Sequence, residues 1–435
     1  MDISPVADLV NKSKELSDES DSLRRALDEL TMLNDLSLSI SGTIDTNKIM
    51  DSIIDRAICF IGAEQGNIVL IREKDEGNTE MLVKSTCSSK ELSTIGPQEN
   101  ILGWIESNQK PLRVNDPQVN TKYIDKKNKR GLKSILSVPL MVRSQLIGVL
   151  SIYNKKNSGS FTKQDEQLLS IIGSQSAQVL ENARLNEKEQ RLNEIEKEVE
   201  VANKIQGQLL PDEAPLLKQY NLLGKNITAK TVGGDYYDFI KLDDHRWVIC
   251  LGDVSGKGLP ASLLMSNLQA LIRGELPCHS EIEVLLENVN NKLFQNTSND
   301  KFATLFVGIL NLRSHSFTYS NAGHEYPFLI HTDKSFDRLM KGGVPLGVME
   351  NQKFESETIK FIPGDKLVIY SDGLIDSRDK RNEEYGEKRL QRLLLKAVRN
   401  SSSELIDNIF NDSTKHSQQS NLFDDMTAVV LSRTE

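Results

Sequence analysis

Four short acidic motifs in the second half of the chain carry the residues best suited to chemistry. They are Gly233-Gly-Asp-Tyr-Tyr-Asp238, Gly252-Asp-Val-Ser-Gly-Lys-Gly258, Ser371-Asp-Gly-Leu374 and Asp424-Asp-Met-Thr427. Each motif places an Asp beside glycine, another acid or a small polar residue. Hard divalent cations bind several carboxylate oxygens at once, and no single motif supplies enough of them. The motifs together therefore predict a metal site assembled from distant segments.

The flanking sequence indicates how a fold could bring these acids together. The apolar runs 247–251 and 366–370 have the pattern of buried strands, and they lead directly to Asp253 and Asp372. Asp424 and Asp425 precede a third apolar run, 428–431, while Asp235 follows two glycines that allow close approach of the backbone. Taken singly, each motif could be a turn, because Asp-Gly and Gly-Asp pairs are common in turns.

Other phosphate and metal chemistries do not fit the same residues. The segment Gly252–Gly258 is not a Walker A loop, because its spacing is too short and Gly258 stands where that loop needs Ser or Thr. No EF-hand loop occurs. Neither a Cys-x5-Arg loop nor a Gly-x-Ser-x-Gly elbow is present, so no nucleophilic side chain is indicated.

Length and composition limit the class of protein. The 435 residues favour two domains with a connector, and 38% hydrophobic with 26% charged residues is typical of globular domains. The net charge of −9 disfavours a nucleic-acid partner. No apolar run approaches the roughly 20 residues of a membrane helix, and the acidic start is unlike an export signal, so we expect a cytoplasmic protein. The four cysteines (Cys59, Cys87, Cys250 and Cys278) form no Cys-x-x-Cys pair that would indicate zinc.

The first part of the chain has a helical pattern. Residues 6–42 carry Leu9, Leu16, Leu23 and Leu30 at seven-residue spacing. This spacing is typical of one seam of a coiled coil, and packing against the following domain is the alternative. We assign residues 1–29 to this N-terminal helix.

Residues 43–154 change to short β-rich runs separated by polar turns. A leading helix at 48–60, the segment 103–111, the runs 137–140 and 147–150, and a closing helix from Thr162 together resemble a GAF domain. We assign residues 30–185 to this sensory domain, an antiparallel sheet with flanking helices. The Asn-Lys-Phe-Asp-Glu combination associated with cyclic-nucleotide GAF domains is missing, which disfavours a cyclic nucleotide. The ligand is unknown, and a protein partner, a small metabolite or no ligand at all remain open.

A connector helix follows and continues to about Leu210. Five residues fall on one seam of it, interrupted by Gln206: Leu192, Ile195, Val199, Ala202 and Leu209. Charged residues fill the other faces, which favours a parallel coiled coil in a homodimer over a lone solvated helix. We assign 186–211 to this linker, which could transmit a rotation or a change of register.

Residues 212–435 show strands and helices in runs rather than in strict alternation, which predicts an α+β domain with antiparallel sheets. The four acidic motifs, with Asn321-Ala-Gly-His-Glu-Tyr-Pro327 and Val344-Pro-Leu-Gly347 in between, resemble the metal-dependent PPM phosphatases of the bacterial SpoIIE and RsbU type. The resemblance implies an α-β-β-α sandwich and a protein serine/threonine phosphatase with two Mn²⁺ or Mg²⁺ ions.

The resemblance also implies individual roles. Asp253 would bridge the two cations, Asp235 and the Val254 carbonyl would bind one of them, and Asp372 and Asp424 would bind the other. Asp425 is the alternative to Asp424. Asp238 would reach the site through water or would only cap the chain. His324, in the 321–327 motif, would either hydrogen-bond its neighbours, which we favour, or act as a general acid.

These expectations combine into a regulated enzyme. The GAF domain would act through the linker and the helix from Leu259 to Arg273, which leaves the Asp253 loop directly. In the family that it resembles, the substrate is a phosphorylated anti-anti-sigma factor with a STAS fold. No Arg lies near Asp235, so we expect metal and the partner surface to hold the phosphate. The alternatives are a catalytically inactive partner-binding module and a phosphatase that acts on a small molecule.

Overall fold

The computed structural model describes residues 45–73, 79–87, 99–117, 132–157, 159–279, 281–298, 300–417 and 422–434. The predicted N-terminal leucine repeat lies outside these residues. The chain divides into two compact units between Asn193 and Glu194. Within the described ranges, no helix has both the length and the apolar character needed to cross a membrane.

The first unit is a five-stranded sheet with helices on both faces. Its elements are α1 (Thr46–Ile61), β1 (Ala63–Glu73), β2 (Thr79–Cys87), α2 (Glu99–Asn108), β3 (Leu112–Val114), β4 (Ile135–Val142), β5 (Gln145–Lys155) and the first part of α3 (Lys163–Gly207). The strand order is β2-β1-β5-β4-β3, and every described pair is antiparallel. The β4–β5 hairpin turns through Arg143 and Ser144, both with positive φ, a turn whose twist matches that of the strands.

Two hydrophobic clusters hold the helices of this unit to the sheet. Helix α1 and the start of α3 pack on one face, where Ile53 and Leu169 are buried with Val138 and Leu150. On the other face, Ile105 of α2 is buried in a separate cluster. The predicted antiparallel sheet with flanking helices is therefore confirmed.

The second unit contains two sheets with helices outside. Its elements are β6 (Tyr220–Ile227), β7 (Tyr236–Lys241), β8 (Arg246–Val254), α4 (Leu259–Glu275), α5 (Ile282–Asn296), β9 (Ala303–Asn311), β10 (Ser316–Ala322), β11 (Phe328–Ile330), β12 (Phe336–Arg338), β13 (Gly342–Gly343), β14 (Glu357–Lys360), β15 (Lys366–Tyr370), α6 (Asp372–Ile375), α7 (Glu387–Lys396), α8 (Ser402–His416) and β16 (Met426–Arg433). One sheet has the order β13-β10-β9-β8-β7, with β14 on β10, and the other has the order β12-β11-β15-β16-β6.

Alternation along the strands of the second unit buries both faces of both sheets. Ile249 and Leu251 of β8 meet Val429 and Leu431 of β16 in the core between the sheets. The outer face of the first sheet packs on α4 and α5, and that of the second sheet packs on α7 and α8. This arrangement is the predicted α-β-β-α sandwich.

Helix α3 is continuous from Lys163 to Gly207 and crosses the division between the two units. Leu192 and Ile195 of the predicted seam are 51% and 56% exposed. The helix ends three residues before Leu210. Because the Leu209 N–H bonds the Gln206 carbonyl in a tighter turn, Leu209 lies beyond the helix and does not continue the seam.

Candidate active site

Strand register brings the predicted acids to one edge of the sandwich. Tyr236 of β7 lies opposite Gly252 of β8, so Asp235 and Asp253 leave the same end of two neighbouring strands. In the second sheet, β15 pairs with β16 up to Tyr370 and Ala428, and the acids at 372 and 424 follow and precede these strands.

Asp235 joins the two sheets. Its buried carboxylate accepts hydrogen bonds from the hydroxyl groups of Ser371, at 2.8 Å, and of Thr427. Thr427 belongs to β16 and Ser371 directly follows β15, so the residue before β7 is bonded to two segments of the second sheet's edge. Burial, and then the charge of Asp253, raises the pKa of Asp235 well above its usual range.

The two adjacent acids of the last motif have different surroundings. Asp425 is 7% exposed, and its two oxygens accept the backbone N–H groups of Ala229, at 2.7 Å, and Gly234, at 2.6 Å. Asp424 forms an ion pair with Lys257, with 2.8 Å between Oδ2 and Nζ. Asp425 therefore fixes the glycine loop before Asp235, while the Asp424 carboxylate pairs with the Lys257 side chain and accepts the backbone N–H of the adjacent Asp425 at 3.0 Å.

Asp253 and Asp372 lie in the field of the other acids. Burial, followed by the charges of Asp372, Asp424 and Asp425, raises the pKa of Asp253 to about 7. Burial, followed by the charge of Asp424, also raises the pKa of Asp372. Mutual repulsion among carboxylates at a shared site is the arrangement that a cation would relieve.

The donor set fits hard divalent cations. All the donors are carboxylate or carbonyl oxygens, the ligand type that Mg²⁺ and Mn²⁺ prefer. Gly234 keeps the chain close to two of them, because a Cβ at this position would lie 3.2 Å from the Val254 carbonyl oxygen and 3.4 Å from Asp253 Oδ1. Among the described residues, no three Asp, Glu, His or Cys side chains form a closed coordination group. The four motifs' carboxylates are thus close to one another, and several of them are bonded to other groups of the chain.

Asp238, predicted as a possible outer ligand, has other partners. Arg273 of α4 donates two hydrogen bonds to it, at 2.7 and 2.9 Å, and the Tyr236 hydroxyl donates a third. Its side chain is 1% exposed. Asp238 therefore anchors the end of α4 to β7. The sequence motif alone did not predict this contact.

His324 is buried and neutral. Its Nδ1 lies 2.8 Å from the Thr304 hydroxyl, and its backbone N–H donates to the Asn321 side chain. Burial lowers its pKa to about 4, so near neutral pH it carries no proton to give as an imidazolium. This geometry favours the hydrogen-bonding role over that of a general acid.

Sequence reasoning missed three contributors to the site. Gln206 of α3 is 7% exposed and bonds the Gly233 backbone twice, through its Nε2 to the carbonyl oxygen (2.6 Å) and through its Oε1 to the N–H (3.1 Å). One sign of this role was present in the sequence, because Gln206 is a polar residue that interrupts the apolar seam of the linker helix. Ser371 and Thr427 stood inside the acidic motifs, but nothing in the sequence showed that their hydroxyls meet one carboxylate.

An α-β-β-α sandwich with converging acids at one edge defines the class of PP2C-type phosphatases. The family description Stage II sporulation protein E (SpoIIE) matches residues 243–434, and the GAF domain description matches residues 43–181. The phosphoserine phosphatase RsbU of Bacillus subtilis is 32% identical over 241 residues, which are 55% of this chain and 71% of RsbU. Protein IcfG of Synechocystis is 30% identical over 54% of this chain and 41% of its own length.

A solved structure supports the same fold. The SiaA-PP2C domain of Pseudomonas aeruginosa matches with a TM-score of 0.50 at 18% identity, covering 56% of this chain and 99% of that domain. The chain belongs to the SpoIIE family of PP2C-type protein serine/threonine phosphatases, and it carries an N-terminal GAF domain.

Proposed function

We propose that this chain is a signalling phosphatase that removes phosphate from serine or threonine of a partner protein under control of its GAF domain. One observation carries the proposal. Asp235 and Asp253 from one sheet, and Asp372 and Asp424 from the other, come together at one edge of the sandwich. Relatives named as phosphoserine phosphatases support the chemistry.

The proposed site would hold two divalent cations, Mn²⁺ or Mg²⁺, and Asp253 would be shared by both. Asp235 and the Val254 carbonyl would hold one cation, and Asp372 and Asp424 would hold the other. Such cations, when bound, supply activation of water and compensation of charge on the transferring phosphoryl group. The protein supplies position: Ser371 orients Asp235 through its hydroxyl. Because hydrogen bonds already fix the Asp235 carboxylate in the folded protein, cation binding does not have to order this side chain.

We propose Asp424, rather than Asp425, as the ligand of the last motif. Both oxygens of Asp425 accept backbone N–H groups of the 229–234 loop. Binding a cation through them would break those bonds and leave buried donors without partners, at a cost of about 1–3 kcal/mol each. Asp424 would exchange the ion pair between its Oδ2 and Lys257, and its one backbone contact is a local one, from the N–H of the adjacent Asp425 to Oδ1.

For the substrate, we propose a phosphorylated anti-anti-sigma factor with a STAS fold. The support is the match to RsbU and to RsbP of Bacillus subtilis, both named phosphoserine phosphatases. Such a substrate controls transcription, so the reaction would take place in the cytoplasm.

For regulation, we propose a homodimer through the 192–202 seam of α3 and transmission through α4. Exposed apolar side chains at Leu192 and Ile195 support the seam. Helix α4 begins just after the Asp253 loop, and Arg273 near its far end holds Asp238. We keep 30–185 as the sensory domain, 186–211 as the linker and 212–435 as the phosphatase domain within this proposal.

The test is manganese-dependent release of phosphate from a phosphoserine STAS protein, with p-nitrophenyl phosphate for comparison. Asp372→Asn should abolish release, and Asp244→Asn, at an exposed turn, is the matched control. Binding of the phosphoprotein without release would indicate an inactive partner-binding module. Efficient hydrolysis of the small ester with none of the phosphoprotein would indicate a small-molecule phosphatase.

A further inference from the structure

Three lysine side chains surround the glycine loop that follows Asp253. We call Lys230, Lys257 and Lys301 the lysine rim. Lys257 belongs to the loop itself, between Gly256 and Gly258. A Cβ on Gly256 would lie 3.8 Å from Lys301 Nζ, and a Cβ on Gly258 would lie 4.0 Å from Lys230 Nζ. The three ammonium groups therefore come from three separate segments to one loop.

The segments that carry the rim are the ones that support the acids. Lys230 follows Ala229, whose N–H donates to Asp425. Lys301 precedes Phe302, whose N–H donates to the Ser255 hydroxyl at 3.0 Å and whose carbonyl oxygen accepts the Ser255 N–H at 2.9 Å. The position of the rim relative to the acidic cluster is thus fixed by backbone hydrogen bonds.

Lys257 reaches furthest toward the acids. Its Nζ lies 2.8 Å from Asp424 Oδ2, donates to the Phe423 carbonyl oxygen at 2.7 Å and lies 4.1 Å from the centre of the Phe423 ring. Its positive charge also lowers the raised pKa of Asp372 in part. Lys257 therefore contacts Asp424, and its charge also acts on Asp372.

The other two lysines of the rim, Lys230 and Lys301, are not closely paired with carboxylates within the described residues. Lys301 has a single, long contact of 3.4 Å to the exposed Asp300, and the Lys230 side chain has no ion pair within the described part of the chain. Gly256 and Gly258 both have positive φ, and neither carries a side chain that would cover the loop. Helix α4 starts at Leu259, directly after this loop, without a side-chain cap.

We propose that the lysine rim, with Lys257 at its centre, binds the phosphoryl group of the substrate. The inference rests on the proposed function and names the protein groups that hold the phosphate. A phosphoserine carries roughly −1.5 to −2 charges near neutral pH and would be repelled by the acids. Lys257 would offset that charge and donate hydrogen bonds to phosphoryl oxygens. Lys257 neither forms nor breaks a covalent bond in this role.

This inference adds a protein cation to the expectation that metal and the partner surface mostly hold the phosphate. That expectation rested on the absence of an Arg near Asp235 in the sequence. The cation is instead a Lys in the loop after Asp253, and the fold carries it to Asp424, which is 167 positions further along the chain.

The test compares inorganic phosphate binding to the full-length Mg²⁺-loaded chain by calorimetry with kcat and KM on the phosphoprotein. Lys257→Met keeps the unbranched stem and removes the charge, and it should weaken phosphate binding about tenfold or more, the usual value of a charged hydrogen bond. Lys257→Arg should restore most of the affinity. Lys230→Met and Lys301→Met should each weaken it about twofold, as exposed charges do.

Lys353→Met is the matched control, because this lysine is exposed and pairs with Glu287 on another surface. Unchanged phosphate affinity in Lys257→Met, with an unchanged melting temperature, would overturn the inference. So would tighter Mg²⁺ binding with the same phosphate affinity, because Lys257 would then only compete for Asp424. Absence of phosphatase activity in the unaltered chain would sink the proposed function, whereas the phosphate-binding comparison judges the rim separately.

Discussion

The two adjacent acids of the last motif should separate cleanly in an experiment that measures stability and metal binding together. The two variants, Asp424→Asn and Asp425→Asn, make the same chemical change at neighbouring positions. The structure assigns them opposite consequences, because Asp425 holds the backbone of the distant 229–234 loop, whereas Asp424 pairs with Lys257 and accepts the N–H of its own neighbour, Asp425.

The magnitude for Asp425 follows from its two hydrogen bonds. Each is charge-assisted, at 2.7 and 2.6 Å, and bonds of this kind contribute about 1.5–3 kcal/mol. Asn keeps one neutral acceptor and turns an NH₂ group toward the other buried donor. We expect a loss of about 2–4 kcal/mol in the unfolding free energy of the second unit. At roughly 2–4 °C per kcal/mol for a unit of this size, the melting temperature should fall by about 4–16 °C.

Asp424→Asn should leave the metal-free protein nearly as stable as before. It loses a partly exposed ion pair, worth about 0–1 kcal/mol, and it removes repulsion on Asp253 and Asp372 that offsets this loss. Its effect should appear in cation binding, because a proposed ligand has gone.

Thermal unfolding in EDTA, followed by titration with Mn²⁺, measures both quantities on one sample. Asp244→Asn is the control, since its side chain is 85% exposed and its substitution should stay within about 0.5 kcal/mol. A large drop in metal-free melting temperature for Asp424→Asn, with none for Asp425→Asn, would refute the reasoning and exchange the two assignments.

Three further outcomes follow. In EDTA, Asp253 keeps its proton up to about pH 7 in the folded protein but only up to about pH 4 in the unfolded chain. Its contribution to stability is therefore present below pH 4 and is lost as the pH rises through 7, so the melting temperature should fall over that range. Added Mn²⁺ should raise the melting temperature more at pH 8 than at pH 6, because protons compete with the cation at the lower pH. Gln206→Ala should cost about 1–3 kcal/mol and speed amide exchange at Gly233, and unchanged exchange would contradict the clamp. Leu192→Glu should convert a dimer to a monomer in sedimentation, whereas Lys197→Gln on the opposite face should not.

The strands that carry the acids were predictable, because each apolar run is followed or preceded directly by its acidic residue in the sequence. A buried run that ends in Gly252-Asp253 fixes both the strand and the place of the carboxylate, and β8 extends to Val254 as this pattern requires. The choice between Asp424 and Asp425 could not be made in the same way. Adjacent residues leave a strand end on opposite faces, and only the position of the 229–234 loop decides which face meets backbone N–H groups.

Residues that act through distant contacts left weaker signals. Gln206 disturbed a hydrophobic seam, which shows that the position is unusual without saying what it binds. Lys257 stood in a quoted motif, but its relation to Asp424 depends on two sheets packing face to face. No periodicity in one segment encodes such a contact, since it is set by the burial of both sheets in a common core.

Two helices hold the segment around Asp235 from its two sides. Gln206, near the end of α3, bonds Gly233, two residues before the carboxylate, and Arg273 of α4 bonds Asp238, three residues after it. The segment between them is short and buried, so it has little freedom to absorb a shift of either helix. A displacement of α3 or of α4 would therefore be delivered to the same carboxylate, the one that joins the two sheets through Ser371. The proposed regulation through the linker and the proposed regulation through α4 would therefore act on the same residue, Asp235.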